Sequence, residues 1–138
     1  MNVSIIYWSG TGNTQKMAEM IEVGAKEAGH SVSLIEVGSA STEDVVNADV
    51  VALGCPSMGA EVLEECAFQP YYDLVSNQLG DKAVALFGSY DWGDGEWIRN
   101  WQEDVENKGG IVKDEPLIIH LTPDAEGEVQ CVEFGKKL

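Results

Sequence analysis

Five short apolar runs, each followed by a turn and most then by a stretch with helical spacing, constrain this chain more than any other feature. The runs are Val3–Trp8, Val32–Val37, Val50–Gly54, Ala83–Gly88 and Leu117–Leu121. Most are continuously apolar rather than alternating, as expected of parallel strands covered on both faces. Thr14–Ala28 places Met17, Ala18, Ile21, Ala25 and Ala28 on one helical face, with Gly29 as its stop. Ser41-Thr42-Glu43-Asp44 caps a short helix through Ala48, and Pro70 begins another that carries Tyr71, Leu74, Val75 and Leu79. Gly95–Asn107 and Ala125–Leu138 supply two more. This alternation predicts an α/β fold, a doubly wound five-stranded parallel sheet between two helical layers. Five strands with right-handed crossovers fit the order 2-1-3-4-5 better than the six-stranded dinucleotide order. Ligands of such sheets sit beyond the carboxyl ends of the strands, so the loops after the first, third and fourth runs are where chemistry is expected.

Bulk properties narrow the class. A chain of 138 residues suits one domain spanning 1–138. Its hydrophobic content of 44% supports a core, and no apolar run approaches the roughly 20 residues of a membrane span. The N-terminus opens directly into Asn2-Val3-Ser4-Ile5-Ile6 without the pattern of a signal peptide, so a cytoplasmic protein is expected. Cys55, Cys66 and Cys131 are widely spaced and, with only His30 and His120, make no convincing metal set; buried or inert thiols are expected. Against 24 acids stand 8 Lys and Arg, a net charge of −16 that disfavours nucleic acid and anionic membrane. Seven acids and no cation lie between Gly38 and Gly80. Such acidity serves either solubility alone or docking onto basic patches of protein partners.

The first run leads into Ser9-Gly10-Thr11-Gly12-Asn13-Thr14, and a helix follows at once. Glycines let the backbone turn tightly and aim N–H groups inward, and the helix N-terminus adds partial positive charge, so an anion site is expected. The hydroxyls of Ser9, Thr11 and Thr14 and the Asn13 amide add donors without adding charge. That suits a terminal phosphate monoester, with its free oxygens, better than a pyrophosphate. The Lys-Ser/Thr ending of a P-loop is missing, and so is the third glycine of a dinucleotide fingerprint. Glu36, at the end of the second run, does sit where a ribose-binding acid would, which keeps a dinucleotide reading open at this stage.

Tyr7-Trp8-Ser9-Gly10-Thr11-Gly12-Asn13-Thr14 resembles the phosphate signature of flavodoxins, in particular the short-chain flavodoxins of anaerobic bacteria. The similarity continues through Leu53-Gly54-Cys55-Pro56-Ser57-Met58-Gly59, Leu86-Phe87-Gly88-Ser89-Tyr90, Trp92-Gly93-Asp94-Gly95-Glu96-Trp97 and Cys131-Val132-Glu133-Phe134-Gly135-Lys136-Lys137. The resemblance implies a flavodoxin-like three-layer sandwich holding FMN tightly but without a covalent bond. It implies a low-potential one-electron carrier rather than an enzyme. Redox proteins with basic patches, both reductases and acceptors, would dock on a monomer at the acidic flavin edge.

It also implies roles for two further loops. Pro56, Ser57, Met58, Gly59, Ala60 and Glu61 would form the second. Met58 would pack on one face of the isoalloxazine, and the Gly59–Ala60 peptide would turn over on one-electron reduction to offer its carbonyl to flavin N5–H. Glycine tolerates positive φ, which makes such a switch cheap. Glu61 would accept from flavin N3–H. Ser89, Tyr90, Asp91, Trp92 and Gly93 would form the third loop, with Trp92 stacked on the outer face and backbone groups reaching the ribityl chain and pyrimidine edge. Trp97 and Trp101, four apart on a predicted helix, read as a packing stripe. Trp8 serves either the phosphate loop or the core. Two positions depart from the usual pattern: Asp91 stands where glycine is common, and Ala60 where a polar residue is commoner. Asp91 in a left-handed conformation would bring strain, and its carboxylate would lie near the flavin.

Overall fold

The computed structural model describes residues 1–138. Five parallel strands form one sheet in the order β2-β1-β3-β4-β5: β1 (Asn2–Tyr7), β2 (Ser31–Glu36), β3 (Val50–Gly54), β4 (Ala83–Tyr90) and β5 (Leu117–His120). The helices are α1 (Asn13–Glu27), α2 (Glu43–Val46), α3 (Phe68–Val75), α4 (Glu96–Asn107) and α5 (Ala125–Lys136). Short 3₁₀ turns at Val37–Ser39 and Ser76–Gln78 extend β2 and α3.

Alternation along the central strands separates two cores. Ile6, Val51, Leu53, Val84 and Leu86 face α3 and α4, where Phe68, Trp97 and Trp101 complete the layer. Val3, Ile5, Val50, Ala52, Ala85 and Phe87 face the opposite side, against Met17, Ile21 and Phe134 of α1 and α5. Edge position explains why β2 is half-exposed whereas every residue of β3 is buried. The tryptophan stripe is core: Trp97 and Trp101 are buried, and Phe68 meets Trp101 edge-on at 5.3 Å between ring centroids.

Two glycines set the distance between α1 and α5. A Cβ on Gly24 would collide with the Val132 carbonyl, and one on Gly135 would collide with the Ile21 carbonyl. The helices therefore touch backbone to backbone at reciprocal points.

Several boundaries differ from the sequence reading. β4 runs two residues further than Gly88, so Ser89 and Tyr90 are strand residues rather than loop. The helix expected to begin at Pro70 begins at Phe68, because the Glu64 carboxylate accepts from the N–H groups of Cys66, Ala67 and Phe68 at 2.8–3.0 Å. Pro70 then falls in the first turn, where its missing N–H costs nothing. Leu74, expected on the buried face, is 61% exposed. The second helix is a single turn that ends at Val46 rather than Ala48, and its start is tied by Asp44, whose carboxylate accepts from both the N–H and the hydroxyl of Ser41. α5 ends at Lys136 rather than at Leu138.

Candidate flavin site at the carboxyl ends of the strands

Beyond β1, β3 and β4 lies a cleft of about 200 Å³. That is smaller than the roughly 300–1,000 Å³ of pockets that enclose drug-sized ligands. A drug-sized ligand held here would therefore extend beyond the cleft. Ser9, Gly10, Thr11, Asn13, Thr14, Pro56, Ser57, Met58, Ser89, Tyr90 and Asp91 line it, joined by Trp8 and Leu121. Gly12, Gly59, Ala60, Glu61, Trp92 and Gly93 lie outside its lining, on the loops that rise around it.

The first loop is shaped by its glycines and its end. Gly12 precedes α1 in a left-handed conformation (φ 96°), and its N–H donates to the Ser9 hydroxyl at 3.1 Å. Gly10 lies against the Trp8 indole, where a Cβ would come within 2.9 Å of the ring. Trp8 therefore serves both readings, since it lines the cleft and packs partly buried against the α3–α4 core. The backbone N–H groups of Gly10, Thr11, Asn13, Thr14 and Gln15 donate to nothing within the protein. With no acid in the first turn of α1, the donors of the lining residues Gly10, Thr11, Asn13 and Thr14, together with the helix dipole, suit the cleft to an anion. Lys16, the nearest cation in sequence, is engaged elsewhere, with Glu128 at 2.9 Å and the Pro123 carbonyl.

The second loop is a closed hairpin. Met58 and Val62 exchange both backbone hydrogen bonds at 2.9 Å, which pins the base and leaves Gly59-Ala60-Glu61 as the tip. Gly59 (φ 49°) and Glu61 (φ 56°) are both left-handed. Neither the Gly59 carbonyl nor the Ala60 N–H is hydrogen-bonded. Below the tip, the buried Glu64 holds the chain on both sides: its N–H donates to the Cys55 thiol at 3.3 Å while its carboxylate caps α3. Burial by itself would raise this carboxyl's pKa, but the N–H bonds from Phe68, Ala67 and Cys66 outweigh it and hold the group below the usual range.

The third loop is braced against the second. The Asp94 N–H donates to Glu61 Oε1 at 3.0 Å, and Arg99 holds Asp94 through its carbonyl and its carboxylate. Trp92 is 58% exposed, a large apolar surface left at the rim. Asp91 is not left-handed and so carries none of the strain such a conformation would bring, since only Glu61, Asp81 and Leu121 among non-glycine residues have positive φ. The Asp91 carbonyl instead lies 2.9 Å from His120 Nε2. Glu36, kept open above as a ribose ligand, turns its carboxylate onto the Gly38 N–H at 3.0 Å.

Four contributing residues escaped sequence reading: Glu64, His120 at the end of β5, and Leu121 and Thr122 just beyond it. Glutamate is not a favoured cap residue, so nothing local marks Glu64. The end of β5 could have been found from the topology, as it follows the strand beside β4. The thiols divide: burial raises Cys55 and Cys131 to about 12, whereas Cys66, expected to be buried or inert, is exposed.

Comparison with known proteins agrees with this geometry. Residues 5–135 match the family model described as Flavodoxin. A flavodoxin of Clostridium beijerinckii is 48% identical over 136 residues, covering 99% of this chain and 98% of that protein. One of Megasphaera elsdenii is 40% identical over 134 residues, covering 97% and 96%. The solution structure of two-electron reduced Megasphaera elsdenii flavodoxin superposes with a TM-score of 0.88 at 39% identity, covering 99% of each chain.

Proposed function

The chain belongs to the flavodoxin family, an FMN-binding carrier of electrons between proteins, and we propose how its residues divide that work. The N–H groups of Gly10, Thr11, Asn13 and Thr14, with Gly12 turning the chain and the hydroxyls of Ser9, Thr11 and Thr14 beside them, hold the phosphate of FMN. The observation that carries this assignment is the set of unspent N–H donors at the head of α1, next to hydroxyls and without a cation. Neutral donors hold a dianion and leave the charge on the ligand to be met by the helix dipole. Bound FMN takes up and releases electrons one at a time.

The remaining assignments follow the two rim loops. Pro56, Ser57, Ser89 and Tyr90 line the ribityl passage, and Asp91 and Gly93 shape the turn that carries Trp92. Met58 and Trp92 cover the two ring faces and exclude water. Glu61 Oε1 braces the Asp94 N–H, which leaves Oε2 free to accept from the ring's N3–H. The unbonded Gly59–Ala60 peptide is free to reorient because the Met58–Val62 pair confines any change to the tip. Residues 1–138 act as one FMN-binding domain, as a monomer in the cytoplasm. Glu61, Asp91 and Asp94 make the rim acidic, which supports redox partners with basic patches. No helix is long and apolar enough to cross a membrane.

The test is titration of the apoprotein with FMN, FAD and riboflavin. FMN should bind far more tightly than riboflavin, since only FMN engages the first loop. Equal affinity for riboflavin, or preference for FAD, would overturn the phosphate assignment. Electron transfer to a basic partner should slow with added salt, as screening shortens the reach of the rim charges to about 8 Å at physiological ionic strength. Rates flat across a salt series would remove the docking proposal.

A further inference from the structure

At the end of β5, three consecutive residues, the last of the strand and the two that follow it, reach two of the loops assigned to FMN. His120 Nε2 lies 2.9 Å from the Asp91 carbonyl. A carbonyl only accepts, so this contact is a hydrogen bond when the ring proton is on Nε2. The Leu121 N–H donates to the Tyr90 carbonyl at 2.8 Å and its side chain lines the cleft. The Thr122 hydroxyl donates to Asn13 Oδ1 at 2.7 Å, across 109 positions of sequence. Leu121 is left-handed (φ 59°), a conformation that strains a side-chain-bearing residue and persists only where its surroundings impose it. That turn sends the neighbours on either side to different loops.

We propose that His120–Leu121–Thr122 is a clasp that positions the phosphate loop and the Trp92 loop relative to one another. Thr122 sets the flip of Asn13. By occupying its carbonyl oxygen, the hydroxyl leaves the amide N–H groups, the donors a phosphate needs, for the cleft. His120 holds the peptide that enters Trp92, and so fixes where the indole stands at the rim. Both are positioning residues: they act through Asn13 and Asp91. The clasp rests on the FMN assignment for its purpose but not for its geometry.

The two arms separate in binding to full-length apoprotein. Thr122→Val should weaken FMN by about twofold to tenfold, the worth of one oriented hydrogen bond, and leave riboflavin unchanged, because riboflavin has no phosphate. Thr122→Ser should restore the parent value. His120→Ala should weaken FMN and riboflavin alike by a similar factor and shift the one-electron potentials, and His120→Gln, which keeps a donor at similar reach, should recover most of both. Loss of riboflavin binding in Thr122→Val to the same degree as FMN would reduce Thr122 to a structural contact and overturn its role. His120→Gln behaving as His120→Ala, or His120→Ala behaving as the parent, would overturn the other arm. In the apoprotein, nitrogen NMR should find the neutral His120 proton on Nε2 and a change in the Asn13 side-chain amide signals in Thr122→Val. Failure there would sink the clasp even if FMN binds, whereas a parent protein that ignores FMN but passes these NMR tests would sink only the functional reading.

Discussion

The hydroxyl oxygens of Thr14 and Ser89 lie 2.9 Å apart, both buried, and join the first turn of α1 to the carboxyl end of β4. The Ser89 N–H also points to Thr14 Oγ1, at 3.4 Å. Two walls of the cleft are thereby tied by groups separated by 75 residues in sequence. Thr14→Val keeps the shape but leaves the Ser89 hydroxyl without this partner. A loss of about 1–3 kcal/mol is expected, read as a lower urea midpoint at unchanged slope, with Thr14→Ser near the parent. A Val variant as stable as the parent would show that the pair contributes nothing.

Glu64 makes the acid limb of stability predictable in sign. Its folded pKa lies below the unfolded value of about 4.3, so its contribution is complete above that value and is lost as pH falls through the folded pKa. Glu64→Gln should cost about 1–3 kcal/mol at pH 7, because an amide presents N–H groups to N–H donors. The variant's stability should also fall less steeply below about pH 4 than the parent's. Parallel pH profiles for the two proteins would mean that the carboxylate is not held as described.

At Gly59 nothing lies within 4 Å of where a Cβ would stand, so a side chain there meets no neighbour. The penalty is conformational: φ is 49°, and a β-branched residue in that region pays roughly 1–2 kcal/mol or more. Gly59→Val should therefore disturb the tip without disturbing packing, and shift the potential of the first electron relative to the second. Unchanged potentials in a folded, FMN-binding variant would rule out the peptide switch.

Asp91 offers a clean separation of charge from geometry. Because it is not left-handed, glycine at this position relieves no strain of that kind. Asp91→Gly and Asp91→Asn should then agree, each raising the potential of the second electron by an amount on the order of tens of millivolts, the scale of an exposed charge about 8 Å away. If Asn matches the parent and Gly alone differs, the residue acts through its backbone, where His120 already grips the carbonyl.

What was legible in the sequence was local. β3 falls at Val50–Gly54 as read, and α1 differs by a single residue at each end, because apolar runs and helical spacing report burial directly. The first loop was legible for the same reason: strand, glycine turn and helix N-terminus are contiguous, so their geometry follows from φ preferences and one helix dipole. Ser89 and Tyr90 look like loop in the sequence because their polarity hides a strand whose ladder continues onto β5.

The sequence by itself determined the alternation of strands and helices and the donor-rich first loop, since each is encoded within a few residues of chain. Only the tertiary structure decided how the loops are held. Glu64 caps α3 from only two to four residues away, but glutamate is not a favoured cap, so its residue type does not announce the role. His120 and Thr122 become a clasp because β5 lies beside β4. Gly24 and Gly135 are needed because α1 and α5 touch at their backbones. The contacts of His120, Thr122 and the two glycines join residues far apart in the chain, and a hydrogen bond or a close approach between them has no periodicity to announce it.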